Sequence, residues 1–334
     1  MRAPAFWSDP DGLAGRLLAP LGWAVGAVTL ARMAKPGADA GIPVICIGNP
    51  TVGGSGKTPI ARLVASRLRA SGRSPVVLLR GYGGSLAGPV LVGSDATAAE
   101  VGDEALLHAG GGPTIVARDR LAGARLAAVS GADVIVMDDG FQNPALAKTL
   151  SLLVVDGAHG LGNGLVLPAG PLRAPFAPQL ARAEALVVVG AGRAGDGLAA
   201  AAAAAGRAVL RASLRVDPAI SQWLDGRDVL AFCGIGRPAK FAETLGQAGA
   251  RNAVLRPFAD HHAYGDADAD RLLAEAGRTG LPLVTTEKDA VKLKGSPALD
   301  ALAAAATVVP VRAVIDDEAA LDRLLAGVRR PPDV

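Results

Sequence analysis

Apolar runs of four or five residues recur along the first two-thirds of the chain, at 43–47, 75–79, 114–117, 134–137, 152–155, 185–189 and 208–212. They are rich in Val, Ile and Leu and lack polar alternation. A strand covered on both faces has that pattern, and a strand with one wet face does not. Helical stretches separate the runs. The alternation predicts an α/β fold: a doubly wound, mainly parallel sheet with helices on both faces. A second series follows the polar segment 217–227, at 229–233, 253–255, 281–285 and 307–311. It predicts a second, smaller α/β domain, with Asp217-Pro218 and Asp225-Gly226 as the hinge.

Residues 17–31 break the pattern, because they carry no charge at all. As a helix this run spans about 22 Å, short of the roughly 30 Å hydrocarbon core of a bilayer. Arg16, Arg32 and Lys35 flank it. The predicted element is a helix kinked at Pro20, starting near Ser8-Asp9-Pro10 and stopping before Pro36-Gly37. Its flanking cations suit a helix lying at a membrane surface, with Leu17, Leu18, Leu21, Trp23 and Val25 in lipid. The alternative is a helix packed on the protein's own core. A signal peptide, suggested by Arg2 and by Ala38-Asp39-Ala40, is opposed by Asp9, Asp11 and Pro20.

Composition narrows the picture further. The chain has 334 residues, enough for about two domains. Half are hydrophobic but only 3% are aromatic, so Ala, Val and Leu must build the core. The alanines at 199–205 read as helix filler. A net charge of +3 supports no broad nucleic-acid surface. Cys46 and Cys233 lie in apolar runs and read as small core residues. His108 and His159 stand alone in the sequence, and no spaced Cys/His cluster occurs.

The chemistry is concentrated between the runs. Thr51-Val52-Gly53-Gly54-Ser55-Gly56-Lys57-Thr58 follows the first predicted strand and precedes a predicted helix over 60–70. Strand, glycine-rich loop and helix cradle nucleotide phosphates, because successive N–H groups converge on the phosphate oxygens. Lys57 reaches the β/γ-phosphates and the Thr58 hydroxyl reaches Mg²⁺. The general pattern asks for Gly at the first position, where this chain has Thr51. The run 134–137 then ends in Asp138-Asp139-Gly140-Phe141-Gln142. A strand ending in acids is the usual partner of a phosphate loop, so Asp138 and Asp139 are the candidate Mg²⁺ carboxylates.

Several further segments fall at predicted strand ends. Arg80-Gly81-Tyr82-Gly83 supplies Arg80 as a candidate phosphate ligand. Gly102-Asp103-Glu104 reads by spacing alone as the acidic start of a helix. Leu167-Pro168-Ala169-Gly170-Pro171-Leu172-Arg173 is a rigid loop ending in a cation suited to an anionic ligand. Asp260-His261-His262 is an acid–imidazole cluster. Thr286-Glu287-Lys288-Asp289 reads as a helix start at a functional edge.

In order and spacing, these segments together with Gly234-Ile235-Gly236-Arg237-Pro238 resemble the tetraacyldisaccharide 4′-kinase family of lipid A biosynthesis. The resemblance runs from about residue 6 to 311. It implies a phosphate-loop core and a smaller domain with the active site between them. It also implies ATP- and Mg²⁺-dependent phosphorylation of the 4′-hydroxyl of an acylated glucosamine disaccharide 1-phosphate, at the cytoplasmic face of the inner membrane of Gram-negative bacteria. By the same resemblance Asp103 is the catalytic group, assisted by His261; beside it, the residues themselves put Lys57 on the phosphates and make Arg80 and Arg173 the candidate substrate cations. Ala174 departs from the family's usual Glu at that place.

The domains expected are a membrane-associating helix region at 1–40, a phosphate-loop kinase core at 41–217, a smaller domain at 228–312, and a C-terminal helix and tail at 313–334. The expected partners are the lipid substrate and the membrane surface, with no nucleic acid and no obligate protein partner. Three rival functions stand beside this one, one of them a non-catalytic structural protein retaining the loop, against which the intact Lys57, Thr58 and Asp138 argue. A kinase of a soluble metabolite would have no use for the apolar helix. A membrane-associated ATPase switch would carry a lysine where this chain has Val52.

Overall fold

The structure, a computed structural model, describes residues 4–328. Arg2 and the tail beyond residue 328 lie outside the described residues. Thirteen strands are present among them: β1 Val44–Gly48, β2 Pro75–Leu79, β3 Val90–Leu91, β4 Thr114–Val116, β5 Val134–Asp138, β6 Leu150–Asp156, β7 Ala185–Val189, β8 Ala208–Val216, β9 Asp228–Cys233, β10 Asn252–Pro257, β11 Leu283–Thr286, β12 Ala306–Val309 and β13 Val311–Ile315. They form a nine-stranded sheet in the order β13-β8-β7-β6-β1-β5-β2-β4-β3 and a four-stranded sheet in the order β10-β9-β11-β12. The small sheet is parallel throughout. In the large sheet only the edge strands β3 and β13 run antiparallel to their neighbours.

The non-alternating runs become the interior strands, and both faces of the large sheet are covered. In β1, Ile45 and Ile47 join Ile60, Ala61, Val64, Ala65 and Leu68 of helix Lys57–Ala70 on one side. Cys46 joins Ala124 and Ala127 of helix Arg120–Val129 on the other. Alanine lets these helices sit close to a sheet made of Val, Ile and Leu. Within the alanine tract, Ala199 and Ala202 are buried against the same face. Both cysteines are free and buried, and burial pushes each thiol up to about 12, so they behave as small apolar residues.

Three features depart from the sequence pattern. The strand β3 is two residues long, too short to leave a periodicity. The run 307–311 is two strands, not one. Pro310 has no N–H for a ladder, and the chain turns there from the small sheet into β13. Consequently the residues after 310 return to the large sheet: β13 pairs with β8, and Leu321 and Leu325 of helix Glu318–Ala326 pack under it. The boundary expected at 312/313 thus falls inside a strand of the large sheet.

The apolar helix runs from Leu13 to Met33, longer than the uncharged run because Arg16 and Arg32, expected to flank it, sit inside it. Its 21 residues span about 31 Å, so by length and apolar composition it could cross a membrane. Gly15, Gly22 and Gly26 are buried on one face, against the loop 163–175. A Cβ at Gly22 would lie 2.6 Å from the Val166 carbonyl oxygen, so only glycine permits this approach. Leu13, Leu17, Leu21, Val25 and Val28 occupy the opposite face and are exposed. Leu18, expected among the outward residues, is half-buried.

Candidate active site

Parallel pairing places the loops after β1, β5 and β6 side by side. β1 lies between β5 and β6, with Ile47 level with Asp138 and Gly48 level with Leu153. The chain leaves β1 into the phosphate loop, leaves β5 at Asp138-Asp139 and leaves β6 at Asp156. The order reverses at β1, where open α/β sheets bind ligands. Gly56 takes φ = 91° as it opens the helix of Lys57 and Thr58, a conformation a side chain would resist.

Two of the three candidate metal residues touch. Thr58 Oγ1 donates to Asp138 Oδ2 at 3.0 Å, and His108 Nε2 sits 2.9 Å from the same oxygen. Asp138 Oδ1 is buried without a hydrogen-bond partner among the described residues. Burial works against ionisation of Asp138, but His108, Lys57 and the Thr58 hydroxyl outweigh it and hold the carboxyl below its ordinary range. Asp139 faces elsewhere. It pairs with Arg173 at 2.9 Å and with Lys57 at 3.9 Å, from a left-handed backbone of φ = 56°. Arg173 also donates to the Thr51 carbonyl at 3.2 Å, while the Val52 N–H donates to Pro171 O at 2.8 Å. The loop ending in Arg173 is therefore laced to the start of the phosphate loop. Gln142 completes the lacing through the Asn49 carbonyl at 2.8 Å.

Asp103 opens the helix Asp103–Ala109 and faces the small domain. Its Oδ2 lies 3.0 Å from His261 Nδ1, and its Oδ1 accepts from the Glu104 N–H at 2.8 Å. Burial again opposes the charge, and the His261 contact with Lys288 and Lys292 overcomes it, leaving Asp103 below the ordinary carboxylate range. Glu104 goes the other way, raised by burial and by the nearby Asp138 charge. His261 has φ = 58°, so both non-glycine residues in the left-handed region among those described belong to the predicted site. One short helix connects the two halves, with Asp103 at its start and His108 at its end.

These contacts cover the sequence candidates unevenly. Lys57, Thr58, Asp138, Asp139 and Arg173 converge, and Asp103 meets His261. Thr51, Val52, Gly53, Gly54, Ser55 and Gly56 form the loop itself. Arg80 is exposed and makes no side-chain hydrogen bond or ion pair among the described residues; its neighbour Tyr82 instead packs its ring 5.3 Å from that of His261.

The sequence model of the tetraacyldisaccharide-1-P 4′-kinase family matches residues 14–329. The chain is 56% identical to the tetraacyldisaccharide 4′-kinase of Azorhizobium caulinodans, over 97% of this chain and 96% of that protein. It is 53% identical to the one from Methylobacterium nodulans, over 100% of this chain and 98% of that one. The chain belongs to the tetraacyldisaccharide 4′-kinase family. The crystal structure of LpxK from Aquifex aeolicus in complex with ATP shares the fold, with a TM-score of 0.72 and 23% identity over 94% of this chain and 99% of that one. The α/β phosphate-loop fold and the class of phosphotransferase acting on a hydroxyl group agree with the sequence expectation.

Sequence reasoning missed several residues of this kinase-family site. His108, isolated in the sequence, reaches Asp138 because five residues of helix carry it there. Asp156 ends β6 and gathers Arg237 at 2.6 Å and Lys240 at 2.8 Å from the small domain. Arg237 also donates to the Gly54 carbonyl at 2.6 Å, tying the small domain to the phosphate loop. Burial would raise Asp156, yet these two cations hold it far below the ordinary range. Arg62 of the phosphate-loop helix pairs with Glu287 at 3.0 Å, a second tie between domains. Two signals were available: Asp156 directly follows an apolar run, and Arg237 and Glu287 lie in segments that carry the family resemblance.

Proposed function

We propose that this protein transfers the γ-phosphoryl group of MgATP to the 4′-hydroxyl of a tetraacylated glucosamine disaccharide 1-phosphate, working from the cytoplasmic face of the inner membrane. The observation that carries this reading is the Asp103–His261 pair, made between the two domains and joined by one helix to the Thr58–Asp138 pair. A hydroxyl placed between the two pairs would meet a carboxylate on one side and the nucleotide on the other.

The geometry supports a set of roles. The phosphate-loop N–H groups and Lys57 bind and orient the triphosphate. Thr58 and Asp138 fit a magnesium ion: the hydroxyl and carboxylate are adjacent, and Asp138 Oδ1 is buried with its lone pairs free. Magnesium usually takes one or two protein oxygens beside phosphates and water, so a larger acidic cage is unnecessary. When bound, the ion neutralises charge on the β- and γ-phosphates. Asp139 serves the site through Arg173 and Lys57, holding both cations toward the phosphate loop. Asp103 accepts the proton of the attacking hydroxyl, a role its ionised state suits. General-base assistance is worth about 10²–10⁴-fold. The exposed Arg80 is available to the substrate's 1-phosphate, whereas Arg173 is already held at the phosphate loop by Asp139 and the Thr51 carbonyl.

The N-terminal helix supports peripheral attachment. Its glycine face is covered by the loop leading to Arg173, so lipid cannot surround it without burying that loop. Its opposite face offers leucine and valine to the membrane. Transfer of label from γ-³²P-ATP to the lipid disaccharide, abolished in Asp103→Ala, tests the whole assignment. Label transfer undiminished in that variant refutes the role of the carboxylate.

A further inference from the structure

We propose that Lys288 is a positioning residue that acts with Asp103 to hold His261 as the Nδ1–H tautomer, keeping Nε2 free of a proton. The inference deepens the reading of Asp103 as the base and rests on it. Lys288 belongs to the short helix Glu287–Ala290 at the end of β11. Its Nζ lies 3.3 Å from His261 Nε2, the ring nitrogen turned away from Asp103. An ammonium group has only donors. Nε2 must therefore present its lone pair, and the ring proton must sit on Nδ1. That nitrogen lies 3.0 and 3.2 Å from the two Asp103 oxygens. The imidazole thus donates to the carboxylate. In the opposite tautomer, two donors would face each other at Nε2 and two lone pairs would face each other at Nδ1.

The surrounding groups keep this arrangement in place. Lys288 Nζ is drawn by Glu104 at 3.7 Å, Asp260 at 3.8 Å and Asp103 at 3.9 Å, and its side chain is largely buried. Asp260 is 3.9 Å from Nε2, too far to take a proton from it by hydrogen bonding. Tyr82 covers the imidazole ring, and Lys292 adds positive charge near Asp103. The helix carrying Lys288 is fixed on both sides of it. Thr286 caps it through the Asp289 N–H, and the buried Asp289 accepts from the Gly234 N–H and the Tyr264 hydroxyl, each at 3.0 Å. The ammonium therefore reaches His261 from a rigid mount. Its consequence for the reaction is a division of labour. Asp103 stays a carboxylate with a lone pair for the substrate proton, while His261 orients it and takes no proton at Nε2.

The test is long-range ¹H–¹⁵N correlation of the full-length protein, ¹⁵N-labelled and in detergent, with the His261 signals assigned by their loss in His261→Gln. We expect a proton on Nδ1 and none on Nε2. Lys288→Met should admit a proton at Nε2 while Nδ1 keeps its own toward Asp103, and Lys288→Arg should keep the original pattern. A wild-type protein protonated at Nε2 overturns the proposal, as does an unchanged pattern in Lys288→Met. In kinetics, Lys288→Met should lower kcat by about 10–100-fold with little change in KM for ATP, the usual cost of losing an orienting partner. It should also move the acidic limb of activity to higher pH, because one of the charges holding Asp103 down is gone; Lys288→Arg should restore both. If Asp103→Ala leaves kcat intact, the base assignment falls, and the nitrogen spectra still judge Lys288 by themselves.

Discussion

Leu17 and Leu21 provide the sharpest test of membrane attachment, because their side chains stand away from the protein at 71% and 59% exposure. Full burial of a leucine side chain is worth about 1.5–3 kcal/mol. With most of each side chain still wet, transfer to lipid should contribute about 1–2 kcal/mol apiece. The double substitution Leu17→Glu, Leu21→Glu removes both contributions and sets charge against the acyl boundary. The loss is at least about 2–4 kcal/mol, or roughly 30- to 700-fold in partitioning at 1.4 kcal/mol per decade. The fold should be indifferent, since neither residue packs on the core and exposed substitutions rarely exceed ±0.5 kcal/mol. Co-sedimentation with anionic phospholipid vesicles measures partitioning, and a thermal melt of the same sample checks the fold. Turnover should fall on substrate embedded in vesicles and persist on a soluble short-chain analogue. Partitioning within threefold of wild type, in a protein that melts normally, would refute the argument.

Four further outcomes are expected. Lys57→Ala should lower turnover by at least about 10²-fold in a protein that still folds, because stabilising the charge on the phosphates contributes more to phosphoryl transfer than anything else the protein supplies; near-normal activity would remove the phosphate loop from the mechanism. Asp138→Asn should raise the magnesium concentration needed for activity, measured by titration against EDTA, whereas Asp139→Asn should act mainly by loosening Arg173; equal metal dependence in both variants would contradict that division. Asp156→Asn should weaken urea stability by about 2–4 kcal/mol, since it strands Arg237 and Lys240. Asp156 is depressed in the folded protein, so its contribution is complete above the ordinary aspartate value near 4 and is lost as pH falls below it; an acid unfolding curve identical in wild type and variant would exclude it. Gly22→Ala should lift the N-terminal helix from Val166 and cost about 1–3 kcal/mol by the clash of its new Cβ; an unchanged melting temperature would show that the loop yields freely.

The sequence by itself determined the local elements and the chemistry they carry. Runs of four or five residues rich in Val, Ile and Leu, without polar alternation, are too short for helices and read as strands covered on both faces. A glycine-rich loop between such a strand and a helix specifies its own backbone and its phosphate-binding groups. The apolar run near the N-terminus likewise reads as a helix from composition alone. Short-range constraints fix all of these, and they are written in neighbouring residues. Tertiary structure decided which distant residues share a site. His108 reaches Asp138, and Asp156 gathers Arg237 and Lys240, through sheet order and domain docking, for which no spacing in the chain is diagnostic. Pro310 divides one apolar run between two sheets, because the destination of each half depends on partners more than twenty residues away. Even the exposed face of the N-terminal helix was decided by contact: three buried glycines chose the protein side and left the leucines opposite. Side-chain identity states what a residue can do, and only the packing of the whole chain states what stands opposite it.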